Sequence, residues 1–363
     1  MQSIFLHGGW RCGSTYVWNK FRQCSTTTAF YEPFSEKLAA YTADKILKDV
    51  TAAWDSRHPP LDAPYAAEYL PLIVGLGVPL YHDRFAVQRY FVAHDAPLEE
   101  RDYLDSLLQH ALSRSDYSVF GFSRSLGRVG ALKRHYPGCH VVLMRDPVQQ
   151  WLSCRSYRTR FEQPYFELCH FLILALAPQD SLAARAARWL RLPTVPAGSF
   201  ERQLKFMRSH WRRPDDALSY RVFLMVYVLS YLHALPEADL LIDMDSLGQR
   251  FSSQCVARAL AARTGLLLDF SDCSMPTHDT NDAAVDYARV HEEVLGWLLA
   301  QDSQLAATSG SSLNVAAWYA VSDKLANSLR GVVQPPPHPL RQSSAALDTG
   351  FGARLRELLK ISR

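Results

Sequence analysis

Ile4-Phe5-Leu6-His7-Gly8-Gly9-Trp10-Arg11-Cys12-Gly13-Ser14-Thr15 reads as an apolar strand, a glycine-bearing loop and the start of a helix that continues from Tyr16. Gly8 and Gly13 bracket four residues, as in the nucleoside-triphosphate loop G-x-x-x-x-G-K-[ST], but Ser14 stands where that pattern requires lysine, and a basic residue, Arg11, lies inside the loop instead. Such a loop aims backbone N–H groups and the positive end of a helix at an anion, so it suits a phosphate or sulfate group. What it lacks is the usual contact to the outer phosphates of a triphosphate. The alternative is a plain turn between a buried strand and a helix, and a second motif is needed to choose.

That motif lies at Cys139-His140-Val141-Val142-Leu143-Met144-Arg145-Asp146-Pro147, a β-branched and apolar run closed by Arg-Asp-Pro. Asp146 suits an N-cap and Pro147 the first helical position, so a helix is predicted to begin there. Ser153 follows Arg145 by eight residues and falls near the second turn. An arginine at the strand end, through a bidentate fork, and a hydroxyl on the adjoining helix can converge on one phosphate. Taken singly, Arg145 reads equally as a salt-bridge partner and Ser153 as a helix-surface hydroxyl.

Together the two motifs resemble the paired signatures of sulfotransferases that use 3'-phosphoadenosine 5'-phosphosulfate (PAPS). The family loop R-[SC]-G-[ST]-[ST] is matched by Arg11, Cys12, Gly13, Ser14 and Thr15, and the family's R-x-P with a serine eight residues after the arginine is matched by Arg145, Pro147 and Ser153. The resemblance implies that the first group holds the 5'-phosphosulfate and the second the 3'-phosphate. Phe30-Tyr31-Glu32-Pro33-Phe34 also resembles the aromatic-Glu-Pro segment of carbohydrate sulfotransferases and bacterial relatives, which implies that Glu32 is the catalytic base. A strand from about Thr27 to Tyr31 would present Glu32 on the same sheet edge as the loop. A capping or salt-bridging role for Glu32 is the alternative, and His82 is a second candidate base, because cytosolic sulfotransferases use histidine. The glycine-rich basic segment that those enzymes carry late in the chain is not apparent here.

Sulfuryl transfer, like phosphoryl transfer, is dominated by positioning and charge stabilisation. The sulfuryl group carries less charge than a terminal phosphoryl group, so no metal is expected, and Arg11, the loop N–H groups, Ser14 and Thr15 would offset the developing charge. The function expected is transfer from PAPS to a hydroxyl acceptor, carbohydrate or another small molecule. A nucleotide-dependent kinase with a degenerate loop and a non-catalytic nucleotide-binding module are the competing readings.

Further strand candidates at Val119 to Phe122 and Leu240 to Asp243, each followed by a helix-like segment, predict an α/β, P-loop-like three-layer fold with a central parallel sheet flanked by helices. Residues 1–300 form the expected sulfotransferase domain, with 34–115 as a helical acceptor-binding insertion. Residues 301–363 are expected to be a peripheral arm, since periodicity fades after Gln301, Pro335-Pro336-Pro337 marks a linker and Leu355 to Leu359 reads as a short helix. Arg124 and Arg128 could reach an anion or be solvated at a helix start. The basic positions Arg155, Arg158 and Arg160 read as a solvated helix face.

With 363 residues, 48% hydrophobic and 21% charged, the chain can bury a large core. A net charge of +3 does not imply nucleic acid as a partner. Seven scattered cysteines without C-x-x-C spacing point to free thiols in a reducing compartment. The apolar runs Leu168 to Ala177 and Val222 to Leu235 are shorter than the roughly 18 residues of a membrane span, and no signal pattern precedes the first strand. No membrane span and a cytoplasmic location are therefore expected.

Overall fold

The computed structural model describes residues 2–48, 61–179, 181–309 and 314–333. Five strands, β1 (Gln2–His7), β2 (Thr27–Tyr31), β3 (Tyr117–Phe122), β4 (Cys139–Met144) and β5 (Leu240–Asp243), pair in the order β2-β3-β1-β4-β5, every neighbour parallel. Helices α1 (Ser14–Arg22), α2 (Ala43–Lys48), α3 (Arg101–Leu112) and α4 (Val129–His135) fall between or after the first three strands. A helical block, α5 (Pro147–Phe161), α6 (Tyr165–Ala175), α7 (Leu182–Trp189), α8 (Phe200–His210) and α9 (Asp216–Ala234), separates β4 from β5. α10 (Arg250–Thr264), α11 (Tyr287–Ser309) and α12 (Val315–Val333) follow. The architecture is the α/β three-layer arrangement expected, a parallel sheet flanked by helices.

Strand periodicity sorts the core into two faces. Ile4, Leu6, Val119, Val141, Leu143 and Ile242 pack with Trp18 and Phe21 of α1 and Leu260 of α10. On the other face Phe5, Phe30, Phe120 and Phe122 meet Tyr103, Leu104 and Leu107 of α3. Val142 and Met144 join the largest cluster, built around α5, α6 and α9. Phe5 stacks on Phe120 at 5.2 Å and on His140 at 4.6 Å between ring centroids, so aromatic contacts bind the three middle strands.

Two histidines lie buried in this sheet and satisfy one another in a single direction. His140 Nε2 lies 2.9 Å from the carbonyl of Tyr136, which can only accept, so the proton sits on Nε2 and Nδ1 accepts. His7 Nε2 therefore donates to His140 Nδ1 at 3.1 Å, and His7 Nδ1 accepts from Ser125 Oγ at 2.7 Å. Both rings are neutral, in keeping with burial, which pushes His7 well down from the ordinary histidine value and lowers His140 as well.

α5 begins as expected: Asp146 caps it by accepting from the N–H of Gln149 at 2.9 Å, and Pro147 is its first residue. Asp216–Glu237, which contains α9, has the length and hydropathy of a membrane span by composition, unlike the shorter run read from the sequence. Its apolar window is 78% buried inside the protein, where it forms the middle of the largest core cluster.

The segment after Gln301 also differs from expectation. The boundary at 301 falls inside α11, and α12 buries Ala317, Trp318, Val321, Leu325 and Leu329 in the core. These positions recur at helical spacing, so the period was present in the sequence. Up to residue 333 this is core structure rather than a peripheral arm, whereas the linker at Pro335 and the helix at Leu355 lie outside the described residues.

The arginines at the start of α5's exposed side are engaged as well. Arg155 pairs with Asp216 at 2.9 Å, and Arg158 pairs with Asp216 and, at 3.0 Å, with the buried Glu167 of α6. Burial pushes Glu167 up to about 7, against Arg158 and a 2.8 Å bond from Ser219. The folded protein thus keeps a proton that the unfolded chain releases near the ordinary value of about 4.3, and stability falls as pH rises from there to about 7. Glu167→Gln removes this slope. Thermal melts of the two proteins should therefore draw apart, in favour of the variant, as pH rises through that window; a pH-independent difference would count against a raised Glu167.

Candidate active site

β1 and β4 lie side by side, but the chain turns to opposite sides after them, toward α1 and toward α5, which opens a crevice at their carboxyl ends. A cavity of about 350 Å³ occupies it, at the lower end of the range usual for small-molecule sites. The loop supplies Trp10, Arg11, Gly13, Ser14 and Thr15, and β4 and α5 supply Arg145, Ser153 and Tyr157. Tyr31 and Glu32 enter from β2, Ser123 and Arg124 from the end of β3. Of the site residues read from the sequence, Arg11, Gly13, Ser14, Thr15, Glu32, Arg145 and Ser153 reach this cavity, whereas Cys12 and the second candidate base His82 do not.

Gly13 carries φ +97°, and a Cβ there would fall 2.9 Å from Met244 Cε and 3.1 Å from Met275, so glycine is required. No side chain caps α1 and no acidic residue occupies its first turn, which leaves its leading N–H groups for an anion. Arg11 (φ 65°) and Glu32 (φ 49°) also hold left-handed backbone, a conformation that costs a side-chain-bearing residue on the order of 1–3 kcal/mol and gathers at functional sites.

Arg11 Nε donates to Ser153 Oγ at 3.0 Å, its guanidinium lies 5.9 Å from the centre of the Phe166 ring, and it has no carboxylate partner among the described residues. Thr15 Oγ1 and Tyr31 OH bond at 3.0 Å, tying α1 to β2. Cys12 is fully buried beneath the loop, where a Cβ on Gly8 would come within 2.5 Å of its sulfur, and burial pushes its thiol up to about 11. It is a packing residue.

Arg145 is placed differently from a free phosphate fork. Its NH1 donates to the carbonyl of Arg11 at 2.8 Å and its NH2 to that of Pro276, so both terminal nitrogens brace the surrounding loops. Only Nε, buried, is without a partner among the described residues. Burial lowers its pKa from the ordinary arginine value. The expected bidentate contact is taken up by backbone carbonyls because β4 ends directly beneath the loop it supports.

Glu32 follows the last residue of β2 and its N–H donates to Gly121 of β3 at 2.8 Å. Its Oε2 accepts from Ser123 Oγ and, at 2.5 Å, from Arg124 NH1. Burial raises its pKa, opposed chiefly by Arg124. Arg124 is buried, rests 4.9 Å over Trp10 and reaches Glu36 through NH2 at 2.8 Å. Arg128 is fully buried against Glu100 at 2.6 Å and does not line the cavity. Neither is the solvated arginine that one sequence reading allowed. His82 is exposed, rests edge-on against Phe85 and does not line the cavity, so of the two candidates read from the sequence Glu32 alone reaches it.

The 34–115 segment contributes Ser35, Glu36, Lys37, Leu38, Tyr41, Tyr65 and Ala66 to the wall. Glu36, Tyr165 and the stretch Cys273–Pro276 were not legible as site residues in the sequence, since no local pattern marks them. Among the described residues no cluster of three or more His, Cys, Asp or Glu is arranged to hold a metal ion.

No protein-family model matches the chain, and no curated protein matches it. Among solved structures it is similar to a crystal structure of a sulfotransferase from Alicyclobacillus acidocaldarius, at 12% identity over 88% of this chain and 99% of that chain, with a TM-score of 0.35. Likeness at that level is too slight to assign chemistry, which rests on the cavity's own residues.

Proposed function

We propose that the protein transfers a sulfuryl group from PAPS to a hydroxyl acceptor, carbohydrate or another small molecule. The observation that carries this reading is the convergence, on one cavity, of an uncapped helix N-terminus, an arginine without a carboxylate partner among the described residues and a half-buried glutamate. The first two suit the anionic end of a nucleotide; the third suits removal of a proton from an alcohol.

Arg11, Ser14, Thr15 and the leading N–H groups of α1 would hold the 5' end, with Ser153 and Arg145, which line the same cavity, holding the 3'-phosphate. Bound there, the donor supplies a sulfur that gains a bond to the acceptor oxygen as its bond to the 5'-phosphate oxygen of adenosine 3',5'-bisphosphate breaks. Arg11 and the N–H groups stabilise charge on the transferring and leaving oxygens. Both hydrogen bonds to Glu32 fall on Oε2, so Oε1 is the atom that takes the acceptor's proton. A carboxylate with a raised pKa is a better match for an alcohol than an ordinary one, though still weak, so proton removal accompanies attack on sulfur.

Calorimetry of adenosine 3',5'-bisphosphate and of ATP, each with and without magnesium, tests the reading. Metal-independent binding of the bisphosphate, tighter than that of ATP, is expected; preference for magnesium ATP would replace this function with a kinase.

A further inference from the structure

Two carboxylates in the cavity share one guanidinium. Arg124 gives NH1 to Glu32 Oε2 at 2.5 Å and NH2 to Glu36 Oε2 at 2.8 Å, while its face rests on Trp10. Its NH2 also donates to Tyr165 OH at 3.1 Å, and that hydroxyl donates to Glu36 Oε1 at 2.5 Å. The groups are held by four different parts of the fold: the end of β2, the turn Glu36–Ala39, the end of β3 and the start of α6. The arrangement binds Arg124 from both sides and leaves no freedom to favour Glu32 alone.

With both glutamates ionised, this cluster carries two negative charges against one positive. Uptake of one proton brings it to neutrality, which in a largely buried site is the favoured state. Lys37, which is exposed and lines the same wall, opposes the effect of Glu36 on Glu32. Ser123 from β3 donates to Oε2, and Tyr31 and Tyr69 face Glu32 as neutral phenols, their protons held by burial.

Resting on the reading of Glu32 as base, we propose that Glu36 is a positioning residue: by sharing Arg124 with Glu32, it sets how readily Glu32 takes the acceptor's proton, and Tyr165 sets the strength of that competition. Glu36 itself touches no reacting atom. Removing its charge hands Arg124 wholly to Glu32, which becomes a weaker base. Removing the Tyr165 hydroxyl takes a donor from Glu36, which then draws Arg124 away and makes Glu32 a stronger base.

The test is the pH dependence of kcat/KM for PAPS-dependent sulfation of a working acceptor by the unmutated protein, Glu36→Gln and Tyr165→Phe. The acid limb, which reports the free enzyme's base, is expected to move down by about one pH unit in Glu36→Gln and up in Tyr165→Phe. Opposite shifts are the signature, because a merely structural role lowers the rate without moving the limb in two directions. Rate loss at an unchanged limb in both variants would overturn the proposal. Should Glu36→Gln fail to fold, the upward shift in Tyr165→Phe carries the test, and its absence overturns the proposal equally. Glu32→Gln run beside them separates the two levels: if it keeps the unmutated rate, the base reading itself falls, whereas if it loses rate while the other limbs stay fixed, only the role of Glu36 does.

Discussion

Replacing Glu32 with glutamine is expected to lower the rate of sulfuryl transfer by about 10²–10⁴-fold, the range for losing a general base, while adenosine 3',5'-bisphosphate binds as before. The separation follows from geometry. The anion-facing groups, Arg11, Ser14, Thr15 and Ser153, hang from the loop, α1 and α5, whereas Glu32 hangs from the end of β2 and is held by Ser123 and Arg124. Glutamine fills the same space and its carbonyl oxygen can still accept from Arg124, so the cavity wall persists. What it cannot do is take a proton from an alcohol. A variant that turns over at the unmutated rate would remove Glu32 from the chemistry and reduce it to a counter-ion for Arg124. Loss of bisphosphate affinity alongside rate would instead mean that the wall had collapsed, and calorimetry on the same preparation distinguishes the two.

The second large effect is on stability. Arg128→Met is expected to destabilise the protein by about 3 kcal/mol, at the lower end of the range for breaking a buried ion pair by removing one partner. Arg128 and Glu100 are both fully buried, 2.6 Å apart, and Arg128 also donates to the carbonyls of Phe85 at 2.7 Å and Arg124 at 3.1 Å. Its guanidinium lies 4.3 Å over Phe34, two residues beyond Glu32. Methionine fills much of the volume but leaves Glu100 with only the partly exposed Arg89, at 3.1 Å, as counter-ion. That remaining partner is why the lower end applies. Chemical denaturation of Arg128→Met, Glu100→Gln and the double variant gives the coupling directly. If the double variant is destabilised by the sum of the singles, the two residues are independent and the assignment fails.

The contrast between these two sites explains how far the sequence could be read. The strands were legible because Val141, Val142 and Leu143, like Ile4, Phe5 and Leu6, are apolar on both faces, as a strand between two helical layers must be. The loop was legible because Arg11 to Thr15 are contiguous. Arg124 and Arg128 were not, since three residues of a short turn separate one that faces the cavity from one sealed in the core, and only tertiary contacts decide which is which. Glu36 and Tyr165 meet across 129 positions, a pairing that no local spacing encodes. Arg145 taught the opposite lesson: the motif placed it at the right strand end, but the carbonyls of Arg11 and Pro276 took both terminal nitrogens.

The central place of β1 in the sheet bears on how this protein acquires its structure. β1 is made well before its two neighbours, β3 and β4: Gln2 pairs with Tyr117 and Ile4 with Cys139. Closing such long loops before any strand contact forms is entropically expensive, and topologies rich in distant pairings fold slowly. Nor can β1 consolidate as it emerges, because the backbone of Ile4 and Phe5 stays unpaired until more than a hundred further residues exist. A fragment ending before Cys139 leaves the loop after β1 on a strand with one neighbour only. The loop between β1 and α1 is therefore made early and takes its final shape late.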